Sequence, residues 1–316
     1  MEKITILQFT DPICVWCWGN EPVLRAIDYL YGEKVSIRYI MGGLVEDITT
    51  LYDINGTKEE IIRQANRIIQ KNWHAASEKH GMPVVTTSNE LFTERYPSSF
   101  PQNIAYEAAK RINPTQAKLF MRLLREATFI ESRRTSQIDV LIDIATQAGY
   151  NSAEFIDEYT TGSANADFMQ DRMLCRRNGI TGFPSYLIKY DDTEVILGGY
   201  QNLNTFHTII KRLSNGRIKP RRVGPSIANL LDFAHRYGSI YSVEIECAFS
   251  LDRYQTDLMV GQLISAGKFN AERVGNSLRL TINNTTRTRY HQKQNTQHAE
   301  KDKNKAHAAK KSTMDA

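Results

Sequence analysis

The stretch that most limits what this chain can fold into runs from Thr10 to Pro22, TDPICVWCWGNEP. It holds Cys14 and Cys17 directly behind an apolar run, Ile4 to Phe9, that suits a β-strand. Val23, Leu24, Ile27 and Leu30 recur at helical spacing, so the motif should open a helix that continues to about Tyr31. Val35 to Ile40 supplies a second strand, ended by Gly42 and Gly43. Strand, helix and strand in that order imply a parallel βαβ unit with a right-handed crossover, with the cysteines at the carboxyl end of the first strand, where open α/β sheets place their ligands. A cysteine at a helix mouth is favoured as thiolate by the unpaired N–H groups and the dipole there.

Four cysteines in 316 residues are too few for a disulfide framework. The first nine residues carry no secretory pattern, and no stretch offers the roughly 20 apolar residues of a membrane span, so the expected compartment is the cytoplasm, without membrane contact. In a reducing compartment a close cysteine pair is catalytic or metal-binding rather than a permanent staple. A structural zinc site needs about four ligands. The remaining candidates, Cys175, Cys247, His74 and His80, form no second close pair, so no metal and no other cofactor is expected.

From Lys58 to about Thr161 the pattern is helical: 58–81, 101–112, 115–128, 136–148 and 152–159. Strand signals resume afterwards, at 184–189 and 194–197, so the helices are inserted into an α/β frame; further helices fall at 163–178 and 203–213. Arg217 to Pro225, RIKPRRVGP, reads as a linker. Beyond it, helices at 226–237, 242–249 and 252–266 precede a hairpin at 269–274 and 277–282, the order of a winged-helix module spanning 225–285.

Charge separates these regions. The net charge is +5, and from Thr286 onward eight basic residues face three acidic ones, a difference of five, so residues 1–285 sum to zero. The basic character belongs to a polar tail, 286–316, expected to be disordered. Within 225–285 five basic residues face six acidic ones, and a net of minus one is a poor footprint for phosphate contacts. Nucleic acid is therefore an unlikely partner, and a partner protein or dimer contact is the better expectation for this module.

Asp11-Pro12, Cys14-Val15-Trp16-Cys17-Trp18, Ile180-Thr181-Gly182-Phe183-Pro184-Ser185 and Gly198-Gly199-Tyr200 together resemble the DsbA-type, FrnE-like cytoplasmic dithiol oxidoreductases of the thioredoxin fold. The resemblance covers about residues 4–213 and implies a thioredoxin-like α/β domain over 1–215 with its helical insertion at about 58–161. It implies that Cys14 is the attacking nucleophile, Cys17 the resolving thiol and Pro184 a cis-proline facing them. A cis Phe183–Pro184 peptide would leave the Phe183 backbone free to pair with an extended substrate. Trp16, Trp18 and Tyr200 would line a substrate groove. Gln8 departs from the pattern, since relatives often carry a proton-shuttling carboxylate there. Asp11 reads either as its substitute or as a turn residue before Pro12. The resulting expectation is a thiol–disulfide oxidoreductase acting on a protein or low-molecular-weight thiol. Alternatives are a non-enzymatic adaptor presenting a partner protein, for example to a protease, and a glutathione-dependent isomerase.

Overall fold

The structure, a computed structural model, describes residues 3–85 and 91–283. Its first strand, β1 (Ile4–Thr10), pairs in parallel with β2 (Val35–Met41) and antiparallel with β3 (Ser185–Tyr190), and β4 (Thr193–Gly198) closes a sheet of order β2-β1-β3-β4. The alternation of β1 sends its residues to two cores. Ile4 and Ile6 pack against Val23 and Ile27, while Phe9 joins Ile40, Leu187 and Cys175 on the opposite face.

The expected helix after the cysteines is two helices, α1 (Val15–Gly19) and α2 (Glu21–Tyr31), split at Asn20. Pro22 has no N–H with which to continue the α1 ladder. The Asn20 side chain also holds the break: it donates to the Gln201 carbonyl at 2.7 Å and accepts the Gln201 N–H at 3.0 Å.

Between β2 and β3 lie α3 (Lys58–His80), α4 (Phe100–Ile112), α5 (Ala117–Phe129), α6 (Ile138–Gln147), α7 (Ser152–Thr160) and α8 (Ser163–Arg177). Thr57 and Glu60 form a capping box that starts α3, and Gly81 in the left-handed region, φ 76°, ends it. Phe120, Leu124, Leu141, Ile144 and Phe155 give the insertion a core of its own. After β4, α9 (Leu203–Leu213) returns to the sheet and buries Phe206 and Ile210 against the α2 side.

The C-terminal module contains α10 (Ile227–Tyr237), β5 (Ile240–Tyr241), α11 (Ser242–Phe249), α12 (Arg253–Ser265), β6 (Phe269–Val274) and β7 (Ser277–Ile282), with sheet order β5-β7-β6. The two-residue strand β5 carries too little pattern to show in the sequence. The 217–225 stretch is docked rather than free. The Arg221 N–H donates to the Leu30 carbonyl at 2.7 Å, its guanidinium lies 4.9 Å over the Tyr29 ring, and Ile218 is buried. One core runs without interruption from β1 and α2 into Leu230, Phe233, Ile245 and Phe249, with Tyr29 and Phe233 meeting edge to face at 5.1 Å. The tail expected at 286–316 lies outside the described residues.

Candidate functional site

Cys14 is the N-cap of α1, and the Cys17 N–H donates to its Sγ at 3.2 Å. The two cysteines are joined as a disulfide with Cα atoms 5.2 Å apart. Cys14 keeps a small exposed edge, 4% against 0% for Cys17. A hydrogen bond to that sulfur favours its charged form once the pair is reduced.

The Phe183–Pro184 peptide is cis. The Pro184 carbonyl accepts the Gly199 N–H at 2.8 Å, which hangs the loop carrying Tyr200 beside this segment. The Phe183 ring lies over Gly42: a Cβ at Gly42 would come within 1.9 Å of it, so only glycine admits the ring there. Trp16 and Tyr200 face each other at 6.0 Å between ring centroids, and both are partly exposed.

Trp18 stands apart from this group. It is fully buried, its indole N–H donates to the Pro83 carbonyl at 2.9 Å, and it stacks on Phe129 at 5.8 Å. The expectation that Trp18 lines a substrate groove is therefore corrected. Two residues along a helix rotate a side chain by about 200°, so Trp16 and Trp18 cannot share a face.

The structure adds His80, from the end of α3, which the sequence offered only as a metal candidate. Its ring lies against Gly19, where a Cβ would come within 2.3 Å, and its centroid sits 5.8 Å from Trp16 and 6.5 Å from Tyr200. Its Nδ1 accepts the Met82 N–H at 3.1 Å, which leaves the proton of the neutral ring on Nε2. Burial pushes its pKa down to about 4, so at neutral pH it is an uncharged wall of the site.

Asp11 does more than form a turn. Its carboxylate accepts the Ile13 N–H at 2.9 Å in a local turn, and also the Leu44 N–H at 2.7 Å, the Ser99 hydroxyl at 2.9 Å and the Asn103 amide at 2.8 Å. It ties the approach to Cys14 to the loop after β2 and to the start of α4. Burial pushes its pKa up, against the pull of those four donors. Gln8 is buried and donates to the Tyr186 hydroxyl at 3.4 Å; an amide there moves no proton to Cys17. Nothing in the sequence near Asp11 pointed to Ser99 and Asn103, because the contact spans about ninety residues of chain.

A sequence model of the thioredoxin family matches residues 7–208, most of the chain. The chain belongs to the thioredoxin family. Its helical insertion lies between β2 and β3, and its Cys14–Cys17 pair opens α1. Among solved structures, a candidate protein disulfide isomerase from Nitrosomonas europaea superposes with a TM-score of 0.57 at 18% identity, covering 68% of this chain and 100% of that one. The cytosolic disulfide reductase DsbM from Pseudomonas aeruginosa gives 0.53 at 21% identity, covering 67% and 98%. Among characterised sequences, the ClpXP adapter protein SpxH of Halalkalibacterium halodurans is 24% identical over 266 residues, 83% of each chain. No helix among the described residues is long and apolar enough to cross a membrane.

Proposed function

We propose that this thioredoxin-family protein is a cytoplasmic thiol–disulfide oxidoreductase. The observation that carries this reading is Cys14 at the mouth of α1, with its sulfur accepting the Cys17 N–H. In the reducing direction the Cys14 thiolate attacks a substrate disulfide, one substrate sulfur leaves as thiolate, and a mixed disulfide remains. The Cys17 thiolate then displaces the second substrate sulfur, leaving the Cys14–Cys17 disulfide; the oxidising direction is the reverse. The Phe183 backbone would pair with an extended substrate, and the Trp16–Tyr200 walls would hold its side chains. A thiol–disulfide exchange assay with the single variants tests this. Cys14→Ser should abolish exchange, and Cys17→Ser should accumulate the mixed disulfide. Parental rates in both would end the reading.

A second reading, a non-enzymatic adaptor, rests on how the matches are distributed. The disulfide-reductase neighbour covers 67% of this chain, whereas the relative named as a ClpXP adapter covers 83%. The element order of residues 227–282 suits a winged-helix module, and a partner protein would meet the chain there or in the dithiol groove. Pull-down with a Cys14→Ser/Cys17→Ser double variant separates the two readings. An adaptor keeps its partner without the cysteines; an oxidoreductase loses the covalent complex.

A further inference from the structure

The back of the dithiol helix is built by three parts of the chain at once. Trp18, the residue after Cys17, is held between Phe129 of the insertion and Tyr241 of the C-terminal module, whose ring meets it edge on at 5.9 Å. The Arg122 guanidinium lies 4.7 Å over Trp18 and 5.1 Å over Tyr241. Arg122 is buried and donates to Glu21 at 2.9 Å, to Glu126 at 2.8 Å and to both oxygens of Glu244, at 3.3 and 3.1 Å. Glu244 also accepts the Tyr241 N–H at 2.7 Å and the Arg25 guanidinium at 2.9 Å, while Arg125 donates to Glu21 at 2.6 Å. Three arginines and three glutamates thus form a cluster of zero formal charge that meets the dithiol helix where Arg122 lies over Trp18. One of its glutamates belongs to the C-terminal module.

We infer that the C-terminal module is a working part of the dithiol site, with Glu244 a positioning residue that holds Arg122 against Trp18 and balances its charge beside the dithiol helix. The inference rests on the dithiol reading above, because it concerns the redox poise of the same pair. The physical reason is dielectric. Charges buried this close to the helix are poorly screened, so one uncompensated charge in the cluster changes how readily Cys14 holds a negative charge. Loss of the Glu244 carboxylate leaves the cluster with one positive charge in excess, favours the Cys14 thiolate, stabilises the reduced form and makes the pair more oxidising. Loss of a cluster arginine does the opposite. By linkage, any partner that displaces Glu244 changes the poise of the dithiol, and the state of the dithiol changes the grip on that partner.

The test equilibrates the full-length protein in glutathione buffers. One Cys14–Cys17 disulfide and two glutathione thiols exchange two electrons to give the dithiol and one glutathione disulfide. The Cys14 thiolate is titrated in parallel. Glu244→Gln should shift the equilibrium constant about threefold towards the reduced pair, about 14 mV, and lower the Cys14 pKa by about half a unit. Arg25→Met, at a less buried site and so gentler on the fold, should shift the equilibrium constant about twofold and the Cys14 pKa by about 0.3 unit, both in the opposite direction. Shifts of the same sign in the two variants, or none, overturn the inference. If Glu244→Gln does not fold, the charge-balanced double variant Arg25→Met/Glu244→Gln decides: a return to the parental potential supports the inference, and the shift of Arg25→Met alone overturns it. The potential is measurable whether or not the protein turns over a substrate. Opposite shifts in a protein without exchange activity would therefore sink the oxidoreductase reading and keep this one, and full activity with unmoved potentials would do the reverse.

Discussion

Trp16 and Trp18 flank Cys17 in sequence and differ in exposure, Trp16 lying partly open at the edge of the cluster that encloses Trp18. In front, Trp16 faces Tyr200 across a partly open space, with His80 close by. Behind, Trp18 is enclosed by Phe129, Tyr241 and Arg122, and its one polar atom is satisfied by Pro83. The difference teaches how a five-residue helix carries two duties. Its front presents sulfur and aromatic surface to solvent, and its back anchors three regions distant in sequence, so rigidity on one side permits access on the other.

The comparison breaks if the two tryptophans respond alike to truncation. Trp18→Ala should cost about 3–5 kcal/mol in chemical denaturation, the penalty for emptying a filled aromatic site. The pH dependence sharpens the boundary between front and back at His80. Its pKa is about 4 in the folded chain against 6.5 for a free imidazole, so the unfolded chain takes up the proton first as pH falls. Stability from its neutral burial is complete above pH 6.5 and lost between 6.5 and 4, a fall of about 3 kcal/mol at most. His80→Gln should flatten that slope in denaturation curves recorded across the range. Gly19→Ala forces a methyl into the imidazole that lies on the helix and should cost about 1–3 kcal/mol, with Trp16 fluorescence altered by the displaced ring. Smallest in stability, Trp16→Ala should cost less than about 1 kcal/mol, since the side chain is only partly enclosed. Its effect should appear instead in exchange rates with peptide disulfides; an unchanged rate would remove Trp16 from the groove.

Much of the frame was legible because the signals are local. The apolar run of Ile4 to Phe9, the helical spacing from Val23 to Leu30 and the Gly42-Gly43 end of the second strand each depend on neighbours a few residues away, and the elements fall within a few residues of where the pattern put them. The break at Asn20 was half legible: Pro22 announces it, but the Gln201 backbone that holds it lies 181 residues on. The burial of Trp18 was not legible. The motif places an aromatic beside a cysteine, and which aromatic meets solvent depends on what the rest of the chain packs against each face.

The sequence alone determined that this chain starts with a strand, turns into a cysteine pair at a helix mouth and carries a long helical interruption before its partner strands, because hydrophobic period and turn chemistry act over a few residues. Only the tertiary structure decided that the 217–225 stretch is docked, that Asp11 is a four-way tie, and that the C-terminal module meets Trp18 through Tyr241 and Arg122 through Glu244. Apart from the Ile13 and Leu44 N–H groups at Asp11, those contacts join residues about 90 to 220 positions apart. Buried charge and aromatic packing specify them, and neither has a period that a sequence can display.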